Sequence, residues 1–347
     1  MLGGRKTKAY VCALVAMAAI ACGKKTTRTR SNVETPAVEP QGEPLAPIPD
    51  VPPEDARAVA LGAKLFYDPL LSVDQTMACG SCHVIPQGGD DNRQTALGIR
   101  GQIGPINTPT VLNSALNFAQ FWDGRAATLE DQAGGPIENP LEMGNSLPKL
   151  LASLKANPDY AREFSAAFGD GITERNLRAA LAAFERTLLT KNSRFDRWLR
   201  GETSALATNE LAGYELFKSV GCVACHQGAN AGGNMFERLG VMGEYFKDRG
   251  NVTTADYGRF NVTHLERDRF AFKVPSLRVA ALTAPYFHDG SAPTLDQAVR
   301  TMARYQLGRA LSDGDVSLLV AFIESLAGDL PAVPPEALKL AARGKQP

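Results

Sequence analysis

Two five-residue stretches carry most of the chemistry available to this sequence: Cys79-Gly80-Ser81-Cys82-His83 and Cys222-Val223-Ala224-Cys225-His226. Two thiols three positions apart reach the two vinyl groups of one porphyrin, and the next residue projects an imidazole at its iron. The spacing is therefore that of covalent c-type haem attachment, and two copies point to two haems. A redox Cys-x-x-Cys pair and a zinc site are the competing readings. Zinc would need further Cys or His ligands, and outside the motifs the only histidines are His264 and His288.

The second axial ligand decides whether a haem iron transfers electrons or does chemistry. In the second half Met302 lies on a predicted helix, Thr294 to Tyr305, and a thioether there would raise the reduction potential. A core methionine is the alternative. The first half offers no free histidine, but Pro140-Leu141-Glu142-Met143-Gly144 sets a carboxylate beside a methionine. A carboxylate next to an open iron suits peroxide, because it can take a proton from one oxygen and return it to the other. Glu142 reads equally as a surface carboxylate, and Met143 as a possible ligand.

The elements that must position these groups are mostly helical. Apolar periodicity predicts helices over Ala56 to Phe66, Leu147 to Phe168, Thr173 to Leu199 with Thr173 as N-cap, Leu206 to Val220, and Ser312 to Leu326. No run of alternating strands stands out. The fold class is mainly α, with Gly- and Pro-rich loops wrapping the cofactors. The halves echo each other: Gly62-Ala63-Lys64-Leu65-Phe66 matches Gly213-Tyr214-Glu215-Leu216-Phe217, and Phe121-Trp122-Asp123-Gly124 with Thr128-Leu129 matches Phe287-His288-Asp289-Gly290 with Thr294-Leu295. Two cytochrome c-like domains related by internal duplication are the simplest account.

Length and composition set the outer limits. A chain of 347 residues favours two domains, and equal totals of 37 Lys+Arg and 37 Asp+Glu give no reason to expect nucleic acid. Arg5, Lys6 and Lys8 precede an apolar run that ends Ala19-Ile20-Ala21-Cys22, the pattern of an export signal. It resembles a bacterial lipobox with Cys22 as the lipidated residue; ordinary cleavage nearby is the alternative. The expected divisions are a signal over 1–22, a Pro-rich tether over 23–53, an N-terminal haem domain over 54–200, a C-terminal haem domain over 201–330 and a tail over 331–347. The localisation expected is periplasmic, held to the outer membrane by the lipid alone.

From about Asp55 to Leu326 the sequence resembles the bacterial di-haem cytochrome c peroxidases. The landmarks occur in order: the first Cys-x-x-Cys-His; Asn107-Thr108-Pro109-Thr110-Val111-Leu112-Asn113; Gln120-Phe121-Trp122-Asp123-Gly124-Arg125; Asn139-Pro140-Leu141-Glu142-Met143; then the second motif, Phe272-Lys273-Val274-Pro275-Ser276-Leu277-Arg278, Thr283-Ala284-Pro285-Tyr286-Phe287-His288-Asp289-Gly290, and Met302. The resemblance implies that His83 is the proximal ligand of a peroxidatic haem, with Glu142 as catalytic acid/base and Gln120 as a polar partner for peroxide. It makes Trp122 an aromatic relay between the haems, although a packing tryptophan is the alternative. His226 and Met302 become the ligands of the electron-receiving haem. It also implies a calcium ion held by Asn107 and the carbonyls of Thr283 and Pro285, which otherwise read as loop residues. A homodimer, hydrogen peroxide as substrate and a small cytochrome c or cupredoxin as electron donor follow from the same source.

One departure stands out. Many members carry a removable histidine ligand in a stretch ending Gly-His, and here that stretch is Ala96-Leu97-Gly98-Ile99-Arg100. Ile99 cannot bind iron, so the first haem is expected to be open without reductive activation. Two rivals remain: a MauG-like enzyme that oxidises a partner protein, and a di-haem electron carrier without peroxidase chemistry. His264 is expected at the surface.

Overall fold

The computed structural model of the protein describes residues 42–336 and 339–340. The expected export signal with Cys22, and the tether as far as residue 41, lie outside the described residues. Helices dominate. In chain order they are α1 (Ala56–Phe66), α2 (Cys79–Cys82), α3 (Leu129–Ala133), α4 (Gly135–Glu138), α5 (Leu147–Ala156), α6 (Pro158–Ala167), α7 (Glu174–Arg186), α8 (Arg194–Leu199), α9 (Thr208–Val220), α10 (Tyr245–Arg249), α11 (Phe260–Thr263), α12 (Leu295–Gln306) and α13 (Asp313–Ser325). Among the described residues the one sheet pairs β1 (Phe236–Arg238) antiparallel with β2 (Ala271–Lys273). No helix there is long and apolar enough to cross a membrane.

Capping side chains fix where the long helices begin. Thr173 accepts from the Asn176 N–H, Thr294 from Gln297 and Ser312 from Asp315, each satisfying an amide that the helix leaves unpaired. Two expected stretches are interrupted. The periodic run from Leu147 to Phe168 breaks at Asn157, whose side chain accepts from the Asp159 and Tyr160 amides, because Pro158 has no N–H to continue α5. The run from Thr173 to Leu199 stops at Arg186 and resumes at Arg194, where Ser193 caps α8.

Two helix crossings organise the packing. Along α1 and α7, a Cβ on Gly62 would fall 1.9 Å from the Ala180 carbonyl oxygen. Along α9 and α13, a Cβ on Gly213 would fall 2.0 Å from the Leu318 carbonyl oxygen. The repeated Gly-x-x-Leu-Phe therefore has a packing cause: glycine lets two backbones touch, and Phe66 or Phe217 fills the core one turn later. The downstream repeat is also one structure used twice. Phe121 and Phe287 both take left-handed backbone angles, bridges close Gln120 to Ala126 and Tyr286 to Ala292, and Thr128 and Thr294 cap the helices that follow.

The main cores follow the crossings. One gathers α1, α5, α6 and α7; the other gathers α8, α9 and α13. The proline-rich segment departs from expectation. Leu45 is buried in the second core and Ile48 is 1% exposed, while Gly228 N–H donates to Pro44 O at 2.9 Å. Single apolar residues between prolines give no periodic signal, yet each can fill one pocket. Over its described length beyond residue 42 the segment is docked, which corrects the expected tether there.

Candidate functional site

Each cysteine motif is a single tight turn. In α2 the His83 N–H donates to Cys79 O at 2.9 Å, and Gly80 has no Cβ because the Tyr67 ring occupies that place, 2.4 Å away. In the second motif the His226 N–H donates to Cys222 O at 3.0 Å, after Gly221 ends α9 with φ +105°. The imidazoles are held alike: His83 Nδ1 lies 3.0 Å from Gly89 O and His226 Nδ1 3.2 Å from Ala231 O. A carbonyl on Nδ1 fixes the ring and the tautomer, and directs Nε2 to a metal. Burial pushes His83 down to about 4 and lowers His226, so both are neutral as iron ligands must be.

Each motif opens into its own cavity. Cys79, Cys82, His83 and Glu142 line a first cavity of about 850 Å³. Cys222, His226 and Met302 line a second of about 250 Å³, walled mostly by apolar side chains such as Phe217, Leu239, Val299 and Leu319. The cavities share a wall made of residues 107–110, 120–122 and Phe272. The four motif cysteines are unpaired, and burial, foremost, raises all four thiols. The zinc reading fails on geometry. Among the described residues the only group of three or more possible ligands is Asp256, His288 and Asp289, which contains no motif cysteine. An apolar slot, two thiols on one turn and an imidazole fixed through Nδ1 fit a covalently held haem in each cavity.

Glu142 sits on a loop held from two sides. Its Oε1 accepts from Asn139 Nδ2 at 2.7 Å, its carbonyl accepts from the Ile99 N–H at 2.9 Å, and Gln102 Nε2 donates to Pro140 O at 2.8 Å. Burial raises its pKa, while the Asn139 hydrogen bond and Arg125 oppose the rise. Gln120 is buried, donates from Nε2 to Ser114 O at 3.1 Å, and faces both cavities. Trp122 is half-buried in the shared wall; its Nε1–H donates to Asn107 O at 3.0 Å. Met302 packs against the cluster of Leu239, Tyr245, Phe246 and Phe272.

Ile99 is 2% exposed and lines neither cavity; its Cδ1 packs over Gly144. The 96–104 loop is used to clamp the Glu142 loop. Gly98 shows how closely: a Cβ there would fall 1.9 Å from Leu141 O. His264 is exposed and away from both cavities. Met143 lines the first cavity from within the first core. Asn107, Thr283 and Pro285 all line the second cavity.

Several further residues, to which the sequence assigns no role, line or border the cavities. Arg125 lines the first cavity with its guanidinium 3.4 Å over the Phe121 ring. Glu185 also lines it, 7% exposed, and burial pushes its carboxyl up to about 8. His288 Nε2 lies 2.8 Å from Asp256 Oδ1, its ring stacked on Phe272 at 4.3 Å. Burial acts against the Asp256 charge, but hydrogen bonds from Arg249, the Thr253 amide and His288 hold it at about 2. Arg249 pairs with both Asp256 and Asp289, so a cation already occupies this group of possible metal ligands.

Known proteins resemble this chain in sequence and in fold. The family described as di-haem cytochrome c peroxidase matches residues 56–204. Cytochrome c peroxidase Ccp of Escherichia coli K12 is 50% identical over 84% of this chain, which spans 63% of that protein's length. Cytochrome c551 peroxidase of Nitrosomonas europaea is 48% identical over 84% of this chain and 88% of its own. A solved MauG-like protein associated with microbial copper homeostasis superposes with a TM-score of 0.72 at 28% identity, over 82% of this chain and 93% of that one. With both haem-binding turns, their cavities and these relatives in agreement, the chain belongs to the di-haem cytochrome c peroxidase and MauG-like superfamily of oxidoreductases, whose members hold two covalent haem c groups.

Proposed function

We propose that this protein is a periplasmic di-haem peroxidase that reduces hydrogen peroxide to two waters with two electrons from a small reduced cytochrome c or cupredoxin. The observation that carries the reading is the division of labour between two cavities sharing one wall. His83 and Glu142 face the first, His226 and Met302 the second, and Trp122 stands between. Haem c, when bound, would supply a redox-active iron in each cavity, with His83 as protein ligand beside Glu142 in the first and His226 with Met302 in the second.

Cys79 and Cys82, then Cys222 and Cys225, hold the two groups, and His83, His226 and Met302 are their protein ligands. Glu142 receives a proton from one peroxide oxygen and returns it to the other as the O–O bond breaks. Its burial supports that role, because burial raises the carboxyl above its ordinary value and so makes it a better proton acceptor. Gln120 orients peroxide, and Trp122 carries electrons across the shared wall. Asn107, Thr283 and Pro285 hold a calcium ion that keeps the two haem regions in register. Asn107 Nδ2 donates to Arg93 O at 2.8 Å, which leaves its oxygen as the atom available to a cation. The matched crossings and turns support two duplicated cytochrome c-like domains, about 54–200 and 201–330. The N-terminal pattern ending at Cys22 supports export and a lipid anchor at the outer membrane, and the family resemblance supports a homodimer.

A MauG-like oxidation of a partner protein is the second reading, favoured by the likeness to a MauG-like structure and by the lack of a histidine at Ile99. Met302 on the second cavity favours the peroxidase, since the resemblance gives the MauG group a tyrosine at that position.

The test is peroxide-dependent oxidation of a reduced small cytochrome c by the fully oxidised protein, without prior reduction, in wild type and Glu142→Gln. Wild type should turn over from the first cycle, and the variant should lose about a hundredfold or more with both haems attached. Equal turnover in the variant removes Glu142 from the mechanism. A wild-type protein inactive under all conditions favours the second reading.

A further inference from the structure

An ammonium buried in an apolar wall is costly unless an anion meets it. Lys273 is such a group. It lies on β2 opposite Phe236, between the buried Phe272 and Val274, and is itself only 8% exposed. Its backbone N–H donates to Trp122 O at 2.8 Å, which ties this strand position to the proposed relay. The side chain finds no hydrogen-bonding or ionic partner among the described residues. Burial alone lowers its pKa, to about 8, with no neighbouring charge acting on it.

Lys273 lines the second cavity, where it is the one lysine or arginine and Glu237, which makes no polar contact with it, is the one carboxylate. That cavity is built around Cys222, His226 and Met302, and the group that fits there carries two propionate carboxylates on the edge opposite its vinyl groups. A single unpartnered cation in an apolar haem slot and an anionic edge that must be buried in the same slot answer each other.

We propose that Lys273 is a positioning residue whose ammonium pairs with a propionate of the haem held by Cys222, Cys225 and His226, fixing that haem edge beside Trp122. The pair has an electronic effect too. A positive charge at the haem edge favours the reduced iron, so Lys273 raises the potential of the haem that receives electrons. The proposal rests on haem occupancy of the second cavity and not on the fate of peroxide.

The experiment is a spectroelectrochemical titration of the purified two-haem protein, with covalent haem counted first, in wild type, Lys273→Met and Lys273→Arg. In Lys273→Met the midpoint of the His226/Met302 haem should fall by about 59 mV, a tenfold change in the reduction equilibrium for one electron. Lys273→Arg should recover most of that, and the first haem should move less in both. An unchanged midpoint in a fully loaded Lys273→Met protein overturns the proposal. Should that variant fail to load haem, a crystal structure of the wild-type holoprotein decides. Lys273 Nζ within hydrogen-bond distance of a propionate oxygen supports the pair, and Nζ bonded elsewhere rejects it. A protein with haem in the first motif only would refute the second-haem reading itself, a result distinct from either.

Discussion

Glu185 is a carboxylic acid kept where an ionised one does not belong. It faces the first cavity from α7, buried, and its carboxyl is pushed up to about 8 from an ordinary 4.5. Below pH 4.5 it is neutral whether the chain is folded or not and costs nothing. Between 4.5 and 8 the unfolded chain ionises while the folded one does not, so stability drains away as pH rises. Glu185→Gln should therefore melt like wild type at pH 4 and increasingly above it toward pH 8, by roughly 1.4 kcal/mol for each tenfold change in proton affinity that burial imposes. A constant difference across that range, followed by calorimetry, would show that the carboxyl is not neutral in the fold. The residue was legible in part: Leu177, Leu181 and Glu185 are spaced by four, so a charge falls on an apolar helical face. Lys273 was not legible in this way, because no described residue pairs with it. Ile99 shows the reverse, an informative position whose side chain turned out to pack a loop and line no cavity.

Among the elements, the two glycine crossings carry the most specific demand. Exposed in a lone helix, Gly→Ala would stabilise by about 1 kcal/mol. At Gly213 the added methyl would fall 2.0 Å from the Leu318 carbonyl oxygen, so α9 and α13 must separate and open the second core. Gly213→Ala should lose about 1–3 kcal/mol in denaturant unfolding. A gain there would mean that the two helices do not touch as described. Helix starts were readable from Thr173, Thr294 and Ser312, since a cap is a local interaction between neighbours in sequence. Helix interruptions were harder, although the proline after Asn157 was in plain view; an apolar repeat continued across it on both sides. Both haem-binding turns were readable for the same local reason as the caps. The closeness of Glu142, Trp122 and Met302 to them depends on residues that are distant along the chain.

At the scale of the molecule, one buried ion pair ties together segments that no periodicity connects. Arg278 Nη1 and Asp196 Oδ1 lie 2.6 Å apart with both side chains wholly buried, and the same guanidinium donates to Ala46 O and Ala229 O, each at 2.6 Å. The docked proline-rich segment, α8, the loop after the second haem motif and the chain before the Thr283 turn all meet there. Asp196→Ala would leave a buried cation short of its counter-charge and should cost about 3–5 kcal/mol. Denaturant unfolding would measure that cost, and an unchanged midpoint would mean that water or another group replaces the carboxylate. Limited proteolysis should also cut first near residues 42–50 in the variant.

The wall between the cavities sets both sites against one layer of residues. Residues 107–110, 120–122 and Phe272 form a layer that belongs to both, so a single thickness of side chains separates one cavity from the other. If oxidation of the second site changes how tightly the first holds a ligand, thermodynamics requires the ligand to change the electron affinity of the second by the same factor. Peroxide arrival would then tune the potential at which donors deliver electrons, and a donor would sense through one thickness of side chain whether a substrate was waiting.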